Sequence, residues 1–556
     1  MLAIRSRKAL VSLFFTVLPL VSLVLDPINA QGTTTEAIDK TVLLNLRAAI
    51  QKLNTEAGVP GMSVGVLHKG QVIFAEGFGT RNGKDPFEAE TLSPIGSLTK
   101  SFTAAAIGEV VAEGKMDWDT TPVSKYLPEF ELSDPTLTSE LTLVDLLSHR
   151  TGLPRHDWAW FMANTTTLEL IKNVKHVHIN RKLKSKMVYN NFMYGVAGEA
   201  SSRVAGTTWE KLVDNKIVQR MGLKNTGYNQ MQMKRRSDNH AVPMIAASFE
   251  DAVQRRFVPA ELDQVGIPLA AAGDMFSNVF DMMKWGQTIM NNGELDGKQI
   301  LNKESVQELL TARTVAKGTR SPPASGQGPA LMYGMGWLIG SYKGKNFVSH
   351  GGDYMDFSSQ LFIFPDDDLV VALLQNSFYS PLLEKVAYHI ADEILGLPKT
   401  MDWLAEYANT RKQVFEFVAS RNRGEGLPPQ VKNKGPSHDI TDYVGQYNHP
   451  LYGDFNVRLN DHSDGQQEST SSLHLQYHLA ESKLEHYHYD TFKASFQDSG
   501  ATVFVLLNYE HDETGKITGI QTNFSDGNIL FKKVEQPVHQ KKELEALSEL
   551  HLNQQF

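Results

Sequence analysis

The chain has no cysteine among its 556 residues. That excludes disulfide frameworks, cysteine-ligated zinc or iron–sulfur centres and any cysteine nucleophile, so chemistry must come from other groups. An excess of basic charge is also missing: 54 Lys and Arg stand against 63 Asp and Glu, a net charge of −9. Such a balance builds no basic surface to track a phosphate backbone, which argues against nucleic acid as a partner. Long apolar runs are confined to the N-terminus, where Arg5, Arg7 and Lys8 precede an apolar stretch from Ala9 to Leu25 and then Asp26-Pro27 and the small Ala30. The layout predicts a signal peptide over residues 1–30 and a secreted protein, periplasmic if bacterial. An uncleaved anchor is the alternative, although a run of about 17 residues interrupted by Pro19 is short for a bilayer. No second such run follows, and no stable membrane partner is expected. Asn164-Thr165-Thr166 and Asn523-Phe524-Ser525 fit the N-glycosylation pattern, which matters only in a eukaryotic secretory route.

What is present is a globular composition, 41% apolar and 21% charged, long enough for three or four folding units. Pro60–Thr80 reads as a hairpin turned at Lys69-Gly70. From Ser97 the period becomes helical, with Phe102, Ala105, Ile107, Val110 and Val111 on repeat and Gly114 as a stop. Residues 115–270 hold short helical patterns and Pro/Gly-rich loops without alternating strands, and read as a helical subdomain. After a helical stretch from Val279 to Asn291, strand signals return at Tyr333–Ile339, Asn346–Ser349, Ser358–Phe364 and Leu369–Asn376, and a helix from Pro381 to Leu395 closes the unit. Strands at both ends with helices between predict an α+β architecture, one antiparallel sheet assembled from distant segments. The expected organisation is a large α+β domain over 31–400, an amphipathic helix and linker over 401–438, a small all-β barrel-like (lipocalin-like) domain over 439–540, and a tail over 541–556. The Gly, Pro and Lys of the linker predict domains that fold independently. No repeat of fixed period is present.

Two serine signatures compete. Gly61-Met62-Ser63-Val64-Gly65 matches G-x-S-x-G, but a nucleophile elbow needs a strand ending at the serine, and Ser63 lies inside one that runs on to His68. Ser97-Leu98-Thr99-Lys100 opens a helix, and the spacing of three sets the lysine amine beside the serine hydroxyl. An adjacent amine can hold the proton of a weakly nucleophilic hydroxyl or stabilise its alkoxide. Alone the motif is common, and Ser97 reads equally well as a helix cap.

Its company changes that balance. Tyr189-Asn190-Asn191 precedes a helical FMYGVAGEA, and His350-Gly351-Gly352-Asp353 follows a predicted strand. With PGMSVGVLHKG, LTLVDLLSHRTGLP, YGMGW and FVSHGGDYMDFSSQLFIFPDDDLVVALLQNS, this order resembles the serine β-lactamase and penicillin-binding-protein superfamily, and most closely its class C β-lactamase-like, D-aminopeptidase or esterase-like branch, over residues 55–395. The resemblance implies a β-lactamase/transpeptidase-like fold and a cofactor-free, metal-independent serine hydrolase. It implies that Ser97 is acylated with Lys100 beside it. Tyr189 would be a general base whose phenol is lowered in pKa by nearby cations, and Asn191 would bind the substrate amide. His350, with Gly351 and Gly352, stands where relatives often carry a lysine that donates towards the substrate carboxylate. The backbone N–H groups of Ser97 and Asp353 would form the oxyanion hole. Two departures bear on substrate preference: Leu183-Lys184-Ser185-Lys186 replaces the usual Pro-Gly turn before Tyr189, and Asp356 stands where glycine is usual.

Weaker candidates have bland readings. His149 and Asp145 read as hydrogen-bonded structural residues. His474, His478, His486 and His488 read as a solvated strand face rather than metal ligands, because no carboxylates accompany them. Lys172, Lys175, Arg181, Lys182, Lys184 and Lys186 read as a solvated basic surface, with steering of anionic substrates as the alternative. The expected partner is a small-molecule or peptide substrate, cleaved at an amide or ester, and no oligomeric state is legible. The rival reading is an inactive relative that holds a ligand in the same cleft.

Overall fold

Apolar residues alternate through GMSVGVLH and again through QVIFAEGFG, and in the computed structural model these are strands Gly61–His68 (β1) and Gln71–Gly79 (β2), closed at Lys69 and Gly70 with φ of 50° and 75°. The structure describes residues 38–535 apart from 178, 180–185, 261–265, 319–324, 380, 461–471, 499–500 and 525–526. The expected signal peptide, the tail, Leu183, Ser185 and the cations Arg181, Lys182 and Lys184 lie outside the described residues. No described helix is long and apolar enough to cross a membrane.

The other strands of the main sheet come from far along the chain: Thr314–Gly318 (β3), Ala330–Tyr333 (β4), Leu338–Tyr342 (β5), Lys345–Tyr354 (β6), Phe357–Phe364 (β7) and Leu369–Gln375 (β8). They run in the order β3-β4-β5-β6-β7-β8-β1-β2, all antiparallel. One expectation is corrected here. The apolar run Tyr333–Ile339 is not a single strand but the ends of β4 and β5, turned where Gly336 (φ 82°) meets the backbone of Lys100 and Ser101. The edge strand β3 is an addition to the sequence reading.

Six helices frame the sheet: Lys40–Glu56 (α1), Thr99–Ala112 (α2), Asn191–Ala205 (α3), Val279–Met290 (α4), Pro381–Ile394 (α5) and Trp403–Asn422 (α6). Period-two alternation sorts the strands between two layers: Leu361, Ile363, Val370 and Ala372 pack with α2, α3 and α4, while Phe362, Phe364, Val371 and Leu373 pack with α1, α5 and α6. Twelve of the fourteen residues of α2 are buried, so it is a core helix rather than an amphipathic surface one. The regular structure in residues 115–270 is mostly short helices, yet Gly227–Tyr228 joins Ser93–Pro94 and Met275–Ser277 in a small sheet, and Met244–Ile245 pairs with Val258–Pro259. These two- and three-residue strands are too short to leave an alternating signature.

The C-terminal strands, from Gly445–His449 to Asn528–Lys533, form a nearly closed nine-stranded antiparallel barrel. Its interior is aromatic, with Tyr443, Tyr447, Tyr452, Phe455, Tyr477, Phe524 and Phe531 buried. The segment read as a free linker is tied down along its length: Val431 N–H donates to His488 Nδ1 (3.2 Å), Tyr489 N–H to Lys434 O (3.1 Å) and Ser437 N–H to Asp490 Oδ1 (2.8 Å). Composition misleads here because backbone pairing needs no apolar side chains.

Candidate active site

The chain enters α2 through a tight turn at Gly96–Leu98, which carries Ser97. Two glycines let β6 press against this turn. A Cβ on Gly352 would stand 1.9 Å from Ile95 O and 2.8 Å from Ser97 N, and one on Gly96 (φ 50°) would stand 2.6 Å from Asp353 O. The backbones of Ser97 and Asp353 therefore abut. The Asp353 carboxylate accepts from Ser358 Oγ (2.8 Å) and Tyr379 N–H (3.2 Å).

Lys100 is fully buried, and its Nζ contacts Ser97 Oγ at 3.1 Å, Asn191 Oδ1 at 2.7 Å and Ala272 O at 2.7 Å. It also lies over the rings of Tyr189 (4.9 Å) and Tyr194 (5.4 Å). Burial, and after it the Arg155 guanidinium, push the Lys100 pKa well below its usual value, with Asp157 opposing. Asn191 is the first residue of α3, whose cap is Asn190: the Asn190 side chain accepts from Met193 N–H (3.1 Å) and donates to Pro154 O (2.7 Å). His149 sits beneath, its Nδ1 accepting from Asn190 N–H (3.1 Å) and its ring 4.3 Å from that of Tyr189. This is the structural role its sequence context suggested.

Tyr189 hydrogen-bonds to the Ser97 side chain, and burial raises the phenol pKa, with the Ser97 bond and Arg155 only partly offsetting it. The implied lowering by cations is thus reversed, because desolvation of a phenolate outweighs one guanidinium beside the ring. His350 also departs from its implied role. Its Nδ1–H donates to Gly351 O (2.6 Å) and its Nε2 accepts from Tyr333 O–H (3.0 Å), so neither nitrogen is free to donate to a substrate. Burial, then the Lys100 charge, push its pKa down to about 3, leaving a neutral ring where a lysine would be charged.

Ser97, Tyr189, Asn191, His350, Gly351 and Asp353 line one cleft of about 550 Å³, with Lys100 in its floor. Its far wall was not read from the sequence: Arg155, Asp157, Trp158, Trp160 and Phe161 come from one loop. Arg155 Nε donates to Asp157 Oδ2 (2.5 Å) and Asn191 Nδ2 to Asp157 Oδ1 (3.3 Å), which ties that loop to the amine of Lys100 through Asn191. Only the spacing of three aromatics and two charges in RHDWAWF could have signalled it.

The other candidates lie elsewhere. Ser63 is buried mid-strand in β1 with its hydroxyl unpartnered, and no helix follows it. His486 and His488 bond to the barrel's own turn and to Val431. Lys172 and Lys175 pair with Glu169 and Glu131 on the surface. Among the described residues one group could hold a metal ion, His438, Asp490 and His511, but its imidazoles stack in parallel (4.8 Å, 6°) and Ser437 and Tyr443 already donate to the carboxylate.

The family model described as Beta-lactamase matches residues 46–395. The chain belongs to the beta-lactamase family. Residues 429–535 match a second model, a domain of unknown function (DUF3471). An unguisins hydrolase of Aspergillus violaceofuscus is 26% identical, covering 82% of this chain and 83% of its own. Protein flp of Staphylococcus aureus is 22% identical over 65% of this chain and 68% of its own. Among solved structures the fold is shared with an octameric penicillin-binding protein homologue from Pyrococcus abyssi (TM-score 0.55, 21% identity, 88% of this chain and 100% of that one). A class C beta-lactamase mutant shares it too (TM-score 0.51, 18% identity, 65% and 99%).

Proposed function

We propose that this beta-lactamase-family protein is a secreted serine hydrolase that opens amide or ester bonds through an acyl-enzyme on Ser97. The observation that carries the reading is the set of partners around Lys100 Nζ. Two of them, Asn191 Oδ1 and Ala272 O, can only accept, while the third is the Ser97 hydroxyl. A neutral amine fits this set: it gives its two protons to the carbonyls, and its lone pair receives the Ser97 hydroxyl once that hydroxyl turns to it from Tyr189. Lys100 then takes the Ser97 proton as Oγ attacks the substrate carbonyl, and the Ser97 and Asp353 N–H groups receive the oxyanion. Tyr189, which keeps its proton, gives it to the leaving nitrogen or oxygen and is reprotonated from Lys100. In deacylation a water passes a proton to the same pair, attacks the ester, and returns Oγ–H to Ser97.

The cleft also argues for what enters it. His350 is neutral and Arg155 is paired with Asp157, so among the described residues no unpaired cation lines the cleft to meet a substrate carboxylate, while Trp158, Trp160 and Phe161 offer an aromatic wall. Uncharged acyl groups in short esters or amides, D-configured amides included, should be preferred over penicillins and cephalosporins. The relative named as an unguisins hydrolase is in keeping with hydrolysis at this site. A panel of short esters, D-amino acid amides and a chromogenic β-lactam tests it: ester or amide turnover with slow or no lactam turnover is expected, and rapid lactam turnover without the others would overturn it.

A further inference from the structure

The loop over residues 155–162 has two faces. Its front carries Arg155 and Asp157 into the cleft; its back is held by the barrel. Tyr477 O–H donates to Trp158 O (2.6 Å), the Tyr452 hydroxyl bonds His156 Nδ1 (2.8 Å), and Leu479 N–H donates to Met162 O (3.3 Å). The Trp158 indole stacks on Phe524 at 5.3 Å and 20° and meets Phe496 at 5.8 Å, so it extends the barrel's aromatic interior while also lining the cleft. The loop turns at His156 (φ 50°) and Met162 (φ 57°), and non-glycine residues keep that conformation only where surroundings enforce it. Both corners are places where the barrel bonds the loop.

We infer that the C-terminal barrel is a positioning element of the acylation site, with Tyr452 and Tyr477 holding the 155–162 loop so that Asp157 fixes Asn191 and Arg155 lies over Tyr189. The inference rests on the serine-hydrolase reading. The path from barrel to chemistry is continuous: Tyr477 and Tyr452 to the loop, Asp157 to Asn191 Nδ2 (3.3 Å), Asn191 Oδ1 to Lys100 Nζ (2.7 Å), with Arg155 5.4 Å from the Tyr189 ring centre. The charged groups around Lys100 are Arg155 and Asp157, both on this loop, whereas His149, His350, Tyr189 and Tyr194 face it uncharged. Loosening the loop admits water and withdraws Arg155 together with Asp157; burial and Arg155 outweigh the opposing Asp157, so the net change raises the Lys100 pKa.

The test uses the full chain with Tyr452→Phe and Tyr477→Phe combined, and Tyr447→Phe as a control that removes a barrel-interior hydroxyl bonded to Tyr443 O (2.9 Å). The double variant should lose about tenfold or more in kcat/KM on a short ester, the cost of a slightly misplaced site. The acid side of its pH profile should move to higher pH, and hydrogen exchange should rise in 155–162 and through 189–191. The control should change none of these. Unchanged kinetics and exchange in the double variant, or equal changes in the control, would overturn the inference. Failure of the wild-type chain to label or turn over would instead remove the serine-hydrolase reading and leave the exchange comparison to decide whether the barrel orders the loop.

Discussion

Replacing Lys100 by methionine separates a base from a mere charge. The side chains are similar in length, and the site is fully buried, so the change removes the amine without opening a large cavity. It also strips donors from Asn191 Oδ1 and Ala272 O, each worth about 1–3 kcal/mol when left unsatisfied, partly offset because a buried amine no longer needs desolvating. The protein should therefore fold with reduced stability while losing about 10²–10⁴-fold in kcat/KM, the usual contribution of a positioned base. The pH profile carries the sign. The neutral amine is the working form, so wild-type kcat/KM should rise as pH passes the lowered Lys100 pKa and then level off. Tyr189, raised above the phenol value of 10.0, should add no fall below that pH. Lys100→Met should abolish the rise with the rate, whereas Tyr189→Phe should cost about 100-fold and keep the rise. Initial rates on a short ester at several pH values decide this. A Lys100→Met rate within tenfold of wild type, or loss of the acid side in Tyr189→Phe, would refute the assignment and return the base to Tyr189.

Two further outcomes follow from the same geometry. Gly352→Ala places a methyl against Ile95 O and Ser97 N, so β6 must retreat from the Ser97 turn; kcat/KM should fall by about 10²-fold or more, as when one oxyanion donor is lost, with KM little changed. Acid should destabilise the fold below pH 6.5: burial holds His350 at about 3 and His156, His449 and His478 at about 4, so between the unfolded value of 6.5 and those pKa values only the unfolded chain binds these protons, and the buried Asp274 (about 8) and Glu384 (about 7), which keep their protons in the folded chain, offset part of the loss. Stability present above pH 6.5 is lost as pH falls, and urea midpoints should drop steeply there, less so in His350→Gln, whose share is at most about 4–5 kcal/mol.

Much of the framework was legible because its signals are local. The β1–β2 hairpin, α2 and the three short motifs show in spacing alone, and the structure brings Ser97, Lys100, Tyr189 and Asn191 to one cleft. What was not legible depends on distant partners. The sign of the Tyr189 shift is set by burial, and the neutrality of His350 by burial and the Lys100 charge. Arg155, Asp157 and Trp158 carry no periodicity, and gain meaning only from Asn191 on one side and the barrel aromatics on the other. The segment over 424–438 reads as a linker because its anchors are backbone hydrogen bonds.

The nucleophile itself is tested most directly by mapping the adduct of a serine-directed phosphonate on the intact protein by peptide mass spectrometry. The account predicts one adduct per chain, on Ser97, abolished in Ser97→Ala and retained in Ser63→Ala. An adduct on another residue, or labelling that survives Ser97→Ala, would contradict it.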